Sequence, residues 1–146
     1  MSQLDIVRLS ADTLSGVALI ESECFAEPWG EKSLELLLGD MGFGFVALCD
    51  GRVVAYGGMT TVLDEGQITN IAVSADFRRM GLGRRIMDAL ETEASARGIA
   101  FLSLEVRESN EAARRLYSGC GWREEGIRRN FYRRPTENAV IMTKKL

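Results

Sequence analysis

The amino-acid sequence predicts an α/β fold: a mixed, mostly antiparallel sheet of about seven strands with helices on both faces. Three observations carry this. Residues 43–73 hold three strand-like runs separated by the turns Asp50-Gly51 and Asp64-Glu65-Gly66, the pattern of an antiparallel meander. Residues 83–97 then place apolar side chains at helical spacing and lead into an alternating run at 101–106, so the meander enters a β-α-β unit. The chain has 146 residues, 46% hydrophobic and 27% charged. That composition fits a single domain over residues 1–146 with a real core, not a disordered chain.

The elements follow in order. Ile6-Val7-Arg8-Leu9 reads as a first strand. Leu14, Val17, Ala18, Glu21 and Cys24 recur at helical spacing within 11–25, with Ser10 or Asp12 as N-cap, and Pro28 closes that region. Ser33 to Leu38 reads as a short helix ended by Gly39. Phe43–Cys49, Arg52–Leu63 and Gln67–Val73 form the meander, and Gly57-Gly58 inside the second strand signals a bulge or a close backbone approach. Gly83 to Arg97 is an amphipathic helix with Leu82, Ile86, Met87, Leu90 and Ala94 on one side and Gly98 as its stop. Phe101–Val106 is a strand whose Leu102, Leu104 and Val106 share one face, leaving Glu105 on the other. Ser109 is placed to cap a helix over Asn110–Ser118, and Trp122–Arg129 and Glu137–Lys144 are the last strands.

Composition removes several chemistries. There is no histidine, which excludes Ser-His-Asp and Cys-His catalysis and imidazole metal sites. Cys24, Cys49 and Cys120 are widely spaced and form no C-x-x-C, so neither a metal site nor a disulfide framework is expected, and free thiols suit a reducing cytoplasm. The formal net charge of −3 argues against direct nucleic-acid binding driven by phosphate neutralisation. Met1 to Asp5 lacks a basic segment followed by an apolar one, so no signal peptide is expected, and the uncharged stretch from Val53 to Leu63 is too short to span a membrane.

Three segments could carry chemistry. Arg78-Arg79-Met80-Gly81-Leu82-Gly83 lies between a strand and a helix, where backbone N–H groups and the helix dipole favour a phosphate and glycines admit it closely. An ordinary glycine-containing loop with a solvated basic edge fits the same residues. Gln67 to Val73 is by itself a core strand. Glu105 on its strand and Tyr117 on the next helix, which shares a face with Asn110, could converge as a carboxylate and a phenol. A surface Glu and a core Tyr are the plainer alternative. Arg128, Arg129, Arg133 and Arg134 read as a solvated hairpin, with RNA or an acidic tail as the other possibility.

Taken in order, these segments resemble the GCN5-related N-acetyltransferase (GNAT) family. Arg78-x-x-Gly81-x-Gly83 stands where that family has its [QR]-x-x-G-x-[GA] pyrophosphate loop. Within the family, the resemblance is to the bacterial ribosomal-protein-alanine N-terminal acetyltransferases. It rests on Glu27-Pro28-Trp29, Val62-Leu63-Asp64-Glu65, Asn70-Ile71-Ala72-Val73, Glu105-Val106-Arg107, Asn110, Tyr117, Arg128-Arg129-Asn130-Phe131-Tyr132 and Ala139-Val140-Ile141-Met142, which span nearly the whole chain. Arg133-Arg134-Pro135-Thr136 is more basic than the family's turn, and Asn138 replaces a common acidic residue.

The resemblance implies acetyl-CoA as co-substrate and no metal. Backbone groups of Ile71, Ala72 and Val73 would meet the pantetheine arm, and Arg79, Met80, Gly81, Leu82, Gly83 and Arg84 would cradle the diphosphate by main-chain N–H, with Arg78 and Asn110 as further coenzyme contacts. Glu105 matches the general base and Tyr117 the general acid, while Trp29, Asn70 and Tyr132 fall on the acceptor side. The expected activity is acetylation of a protein's N-terminal α-amine, that of ribosomal protein S18 or a similar small-residue N-terminus. A small-molecule amine or lysine acetyltransferase is the first alternative, and a catalytically silent acyl-CoA-binding subunit is the second.

Overall fold

A computed structural model describes residues 3–146; Met1 and Ser2, part of the segment read above for a signal peptide, lie outside it. The strands are β1 (Leu4–Arg8), β2 (Gly42–Cys49), β3 (Arg52–Val62), β4 (Glu65–Val73), β5 (Phe101–Arg107), β6 (Arg123–Tyr132) and β7 (Glu137–Lys145). The helices are α1 (Leu14–Cys24), α2 (Glu31–Leu34), α3 (Leu82–Ala96) and α4 (Glu111–Gly119). Short 3₁₀ turns precede α1 and follow α2. The seven strands form one sheet in the order β1-β2-β3-β4-β5-β7-β6. All neighbours are antiparallel except β4 and β5, which α3 joins as a parallel crossover.

Local chemistry explains most of this. Asp50 and Gly51 both take positive φ, 50° and 84°, so the two-residue turn between β2 and β3 has the type I′ geometry expected of Asp-Gly. Leu82, Ile86, Met87, Leu90 and Ala94 of α3 are all buried, as the stripe predicts. They pack on one sheet face with Met59, Leu102, Leu104 and Met142. Leu14, Val17 and Ile20 of α1 and Leu34 of α2 cover the other face at Val46, Tyr56 and Ala72. Gly57 and Gly58 let both layers close on β3. A Cβ at Gly57 would lie 2.5 Å from Ile86 Cγ2, and one at Gly58 2.6 Å from Leu37 Cδ1.

Several boundaries differ from expectation. The first helix begins at Leu14, because Ala11–Thr13 tighten into a 3₁₀ turn in which the Thr13 hydroxyl accepts from Ser10 N at 3.1 Å. Asn110, not Ser109, caps α4: its Oδ1 accepts from Ala113 N at 3.2 Å. Trp122 precedes β6 as a buried anchor instead of opening it. β7 inserts between β5 and β6, which makes β6 the outer edge; nine of its ten residues are exposed, and its pairing shifts register twice. No helix among the described residues is long and apolar enough to cross a membrane.

Candidate active site

The site is created by a pairing that stops. β4 and β5 share only three rungs, Glu65↔Phe101, Gly66↔Leu102 and Gln67↔Ser103. Beyond them β4 continues to Val73 and β5 to Arg107 without further main-chain pairing, so the sheet opens as a wedge. The wedge holds a cleft of about 540 Å³ whose lining includes Cys24, Trp29, Asn70, Ile71, Glu105, Asn110, Tyr117 and Tyr132. Past Thr60 and Gln67 it continues into a trough of about 680 Å³ on the uncovered face of β5 and β7.

A bulge marks the β4 wall. Gly57 faces Ile71 and Met59 faces Ile68, so three residues of β3 oppose four of β4 and the extra one falls at Thr69-Asn70. Above the bulge, Ser74 N donates to Val54 O at 2.8 Å. By antiparallel alternation Ala72 then bonds toward Tyr56, while the main-chain groups of Ile71 and Val73 point into the wedge. Val73 O is already met there by Arg78 Nε at 3.2 Å and by the Cys24 thiol at 3.5 Å. Its N–H and both groups of Ile71 form a free strand edge, to which an extended amide-bearing ligand can pair.

At the open end of the wedge, Gly81 with φ +76° turns the chain into α3, and the first intrahelical bond is Arg85 N to Gly81 O at 3.1 Å. The N–H groups of Leu82, Gly83 and Arg84 therefore lack intrahelical partners and offer an anion site at the positive end of the dipole.

The opposite wall carries the titratable groups. Glu105 is 15% exposed; its Oε2 accepts from Gln67 Nε2 at 2.9 Å, and Arg128 Nε lies 3.7 Å from Oε1. Tyr117 is 6% exposed, and burial pushes its phenol well above the usual range, so it keeps its proton at any working pH. Burial, followed by the Glu105 charge, pushes Tyr132 up to about 12. Arg107 fastens the β6–β7 turn to the end of β5. It donates to Arg133 O at 2.8 Å, Pro135 O at 3.0 Å and Glu137 Oε1 at 3.1 Å, and lies 4.5 Å over the Tyr132 ring. Glu27, from the turn after α1, accepts from Arg133 N at 2.6 Å and so bridges the two turns.

Comparison with known proteins agrees with this architecture. Residues 14–122 match the model of the acetyltransferase (GNAT) family. The [ribosomal protein bS18]-alanine N-acetyltransferase of Escherichia coli strain K12 is 40% identical over 141 residues, covering 94% of both chains. The chain belongs to the GNAT family. The Salmonella typhimurium protein of the same name is 41% identical over 138 residues, 92% of each chain. The crystal structure of the Escherichia coli ribosomal-protein-S18-alanine N-acetyltransferase superposes with a TM-score of 0.90 at 38% identity, covering 98% of this chain and 94% of that one.

Seen as a GNAT acyltransferase, the chain brings seven of the sixteen expected site residues together. Glu105, Tyr117, Asn110, Asn70, Ile71, Trp29 and Tyr132 all line one cleft. Ala72 and Arg78 depart from the expectation. Ala72 points its main-chain groups at β3, and its side chain is buried under α1, so it does not join Ile71 and Val73 on the free edge. Arg78 turns back to Val73 instead of facing the helix N-terminus. Arg84 reaches Gly119 O at 3.5 Å, while Arg79 and Met80 are exposed. Leu82 is a core side chain that can offer only its N–H. Gly83 is small for a packing reason as well: a Cβ there would lie 3.1 Å from Leu116 Cδ2 on α4. Asn110 commits Oδ1 to the helix cap, leaving its amide nitrogen for a ligand.

Sequence reasoning missed Gln67 and Arg107, whose partners are set by strand pairing. It also missed Glu21, a fully buried carboxylate in α1. One signal for Glu21 was available: a charged residue on an apolar helical stripe.

Proposed function

We propose that this chain transfers the acetyl group of acetyl-CoA to the N-terminal α-amine of a protein whose first residue is small, the alanine of a ribosomal protein being the leading acceptor. The observation that supports this most is the wedge itself. It sets a free β4 edge and the α3 N-terminus on one side and Glu105 with Tyr117 on the other, in a chain 40% identical over 94% of its length to an enzyme named for that reaction.

In this reading the pantetheine amides pair with Ile71 and the N–H of Val73, and the diphosphate sits on the N–H groups of Leu82 to Arg84. Main-chain N–H groups at the Thr69-Asn70 bulge are the donors for charge developing on the thioester oxygen. The neutral amine attacks, and Glu105, oriented by Gln67, takes the proton its nitrogen must lose, directly or through water. Tyr117, which holds its proton until charge develops on sulfur, supplies it to the departing thiolate. The C–N bond forms as the C–S bond breaks, one proton leaves nitrogen and one arrives at sulfur, and neither a metal nor a covalent enzyme intermediate is required.

The acceptor class follows from acidity. An α-amine has a pKa near 7.7–8.0 and a lysine amine near 10.4, so at pH 7.5 about a third of the former and roughly 0.1% of the latter are neutral. The test compares kcat/KM at pH 7.5 for a peptide with free N-terminal Ala and for the same peptide blocked there but carrying an internal Lys. Fragmentation mass spectrometry locates the acetyl group. Faster modification of the α-amine supports the reading, and equal or faster lysine modification overturns it.

A further inference from the structure

Glu21 is 0% exposed, yet no step of the chemistry above uses it. Its carboxylate accepts three hydrogen bonds. Oε1 takes the main-chain N–H of Trp29 at 2.8 Å, and Oε2 takes the Asn70 side-chain amide at 2.9 Å together with the Tyr56 hydroxyl. Burying a carboxylate is unfavourable unless donors replace water, and an apolar side chain of similar size would pack here at no such cost. The identity of the donors suggests what the carboxylate is for. Tyr56 belongs to β3, in the middle of the sheet. Asn70 lies in the β4 bulge, and Trp29 lies in the turn after α1; both line the cleft. One carboxylate thus ties the bulge to the turn that faces it, with β3 as the fixed point.

We propose that Glu21 is a positioning residue: it locks the Asn70 amide and the Trp29 main chain to one another, so that the acceptor side of the cleft keeps a fixed spacing from the bulge. Glu21 does not touch the reacting atoms; it acts through Asn70 and Trp29. The inference rests on the reading of that side of the cleft as the acceptor's, and it predicts an asymmetric defect. The α3 N-terminus, which meets the coenzyme diphosphate, makes no contact with Glu21, so losing the carboxylate weakens acceptor use and spares coenzyme binding.

The experiment is a reciprocal exchange. Glu21→Gln keeps the shape but turns one acceptor into a donor facing donors. Asn70→Asp sets a second carboxylate against Glu21. The pair Glu21→Gln with Asn70→Asp restores one donor and one acceptor with the direction reversed. Each single change should lower kcat/KM for the acceptor peptide by roughly 10–100-fold, the scale of a hydrogen bond to a charged group. The Kd for acetyl-CoA, measured by calorimetry, should stay within about twofold. The double variant should recover much of the loss, which a purely additive structural effect would not do. Losses that simply add, or that appear equally in acetyl-CoA binding, overturn the proposal. Should Glu21→Gln fail to fold, Asn70→Asp at its half-buried position decides alone, since wild-type acceptor kinetics in that variant also overturn it. The acceptor used is whichever amine the wild-type enzyme prefers. A lysine preference in the wild type would defeat the N-terminal reading without touching this test, and unchanged kinetics on an N-terminal peptide would defeat Glu21's role while leaving that reading in place.

Discussion

Gln67 and Glu105 meet where β4 and β5 part: Nε2 of Gln67 donates to Oε2 of Glu105 at 2.9 Å, just past the last shared rung, Gln67↔Ser103. The strand pair ends in a side-chain bond instead of a further main-chain one, and that bond aims the carboxylate along the cleft. Gln67→Ala should therefore lower kcat by roughly 3–10-fold, as expected for one orienting hydrogen bond, with the acetyl-CoA Kd unchanged. Stopped-flow or steady-state kinetics at saturating substrates, together with calorimetry, would show it. A wild-type kcat would mean that Arg128 or packing already holds Glu105.

Glu105→Gln keeps the shape and removes the base, and Tyr117→Phe keeps the ring packed at 6.2 Å from Trp122 and removes the proton. Each should reduce kcat by roughly 10²–10⁴-fold while coenzyme binding persists. Tyr132→Phe provides the comparison, because Tyr132 lines the same cleft. Its loss should raise acceptor KM more than it lowers kcat. If Tyr132→Phe gave the larger kcat defect, the acid role would pass to Tyr132.

Gly83 faces α4 and, in the proposed reading, the coenzyme diphosphate. Gly83→Val should lower Tm, because its side chain meets Leu116 Cδ2, and should also weaken acetyl-CoA binding. Adding Leu116→Ala should restore much of the Tm without restoring affinity. Recovery of affinity along with Tm would remove Gly83 from the coenzyme contact.

Acid sensitivity should centre on the β6–β7 hairpin. The Ser109 hydroxyl and N–H beside Glu137, helped by Arg107, hold its carboxyl below the usual carboxylate range. A depressed folded-state pKa stabilises the fold above the unfolded value, near 4.3, and that stability is lost as pH falls through the folded value. The Tm gap between wild type and Glu137→Gln should be widest near neutral pH and shrink below about pH 4. A gap constant down to about pH 2 would assign the effect to packing instead of charge.

Features encoded locally could be read from the sequence. Asp50-Gly51 announced its turn, the α3 stripe named its buried residues, and strand alternation with helical spacing permitted Glu105, Asn110 and Tyr117 to converge beside the plainer reading of a surface Glu and a core Tyr. Features set by distant pairing could not be read. Glu21 finds Tyr56 and Asn70, 35 and 49 residues away, and its place on an apolar stripe signals burial without naming either partner. The directions of Ala72 and Arg78 depend on the register of β4 against β3 and on where β5 departs. The shift of the α4 cap from Ser109 to Asn110 is a one-residue contest between two good capping side chains.

The outer strand β6 bears on how copies of the chain meet one another. A long, flat sheet edge is a template for a neighbouring strand and a seed for aggregation. β6 is long and exposed, but its two register shifts bend the ladder, and Arg123, Glu124, Glu125, Arg128 and Arg129 crowd it with charges of both signs. Arg128 and Arg129, read from the sequence as part of a solvated hairpin, thus have a sufficient role as gatekeepers. At the far edge, β1 is only five residues long and carries Asp5 and Arg8. A sheet that parts in its middle is in this way closed at its ends to strands of its own kind.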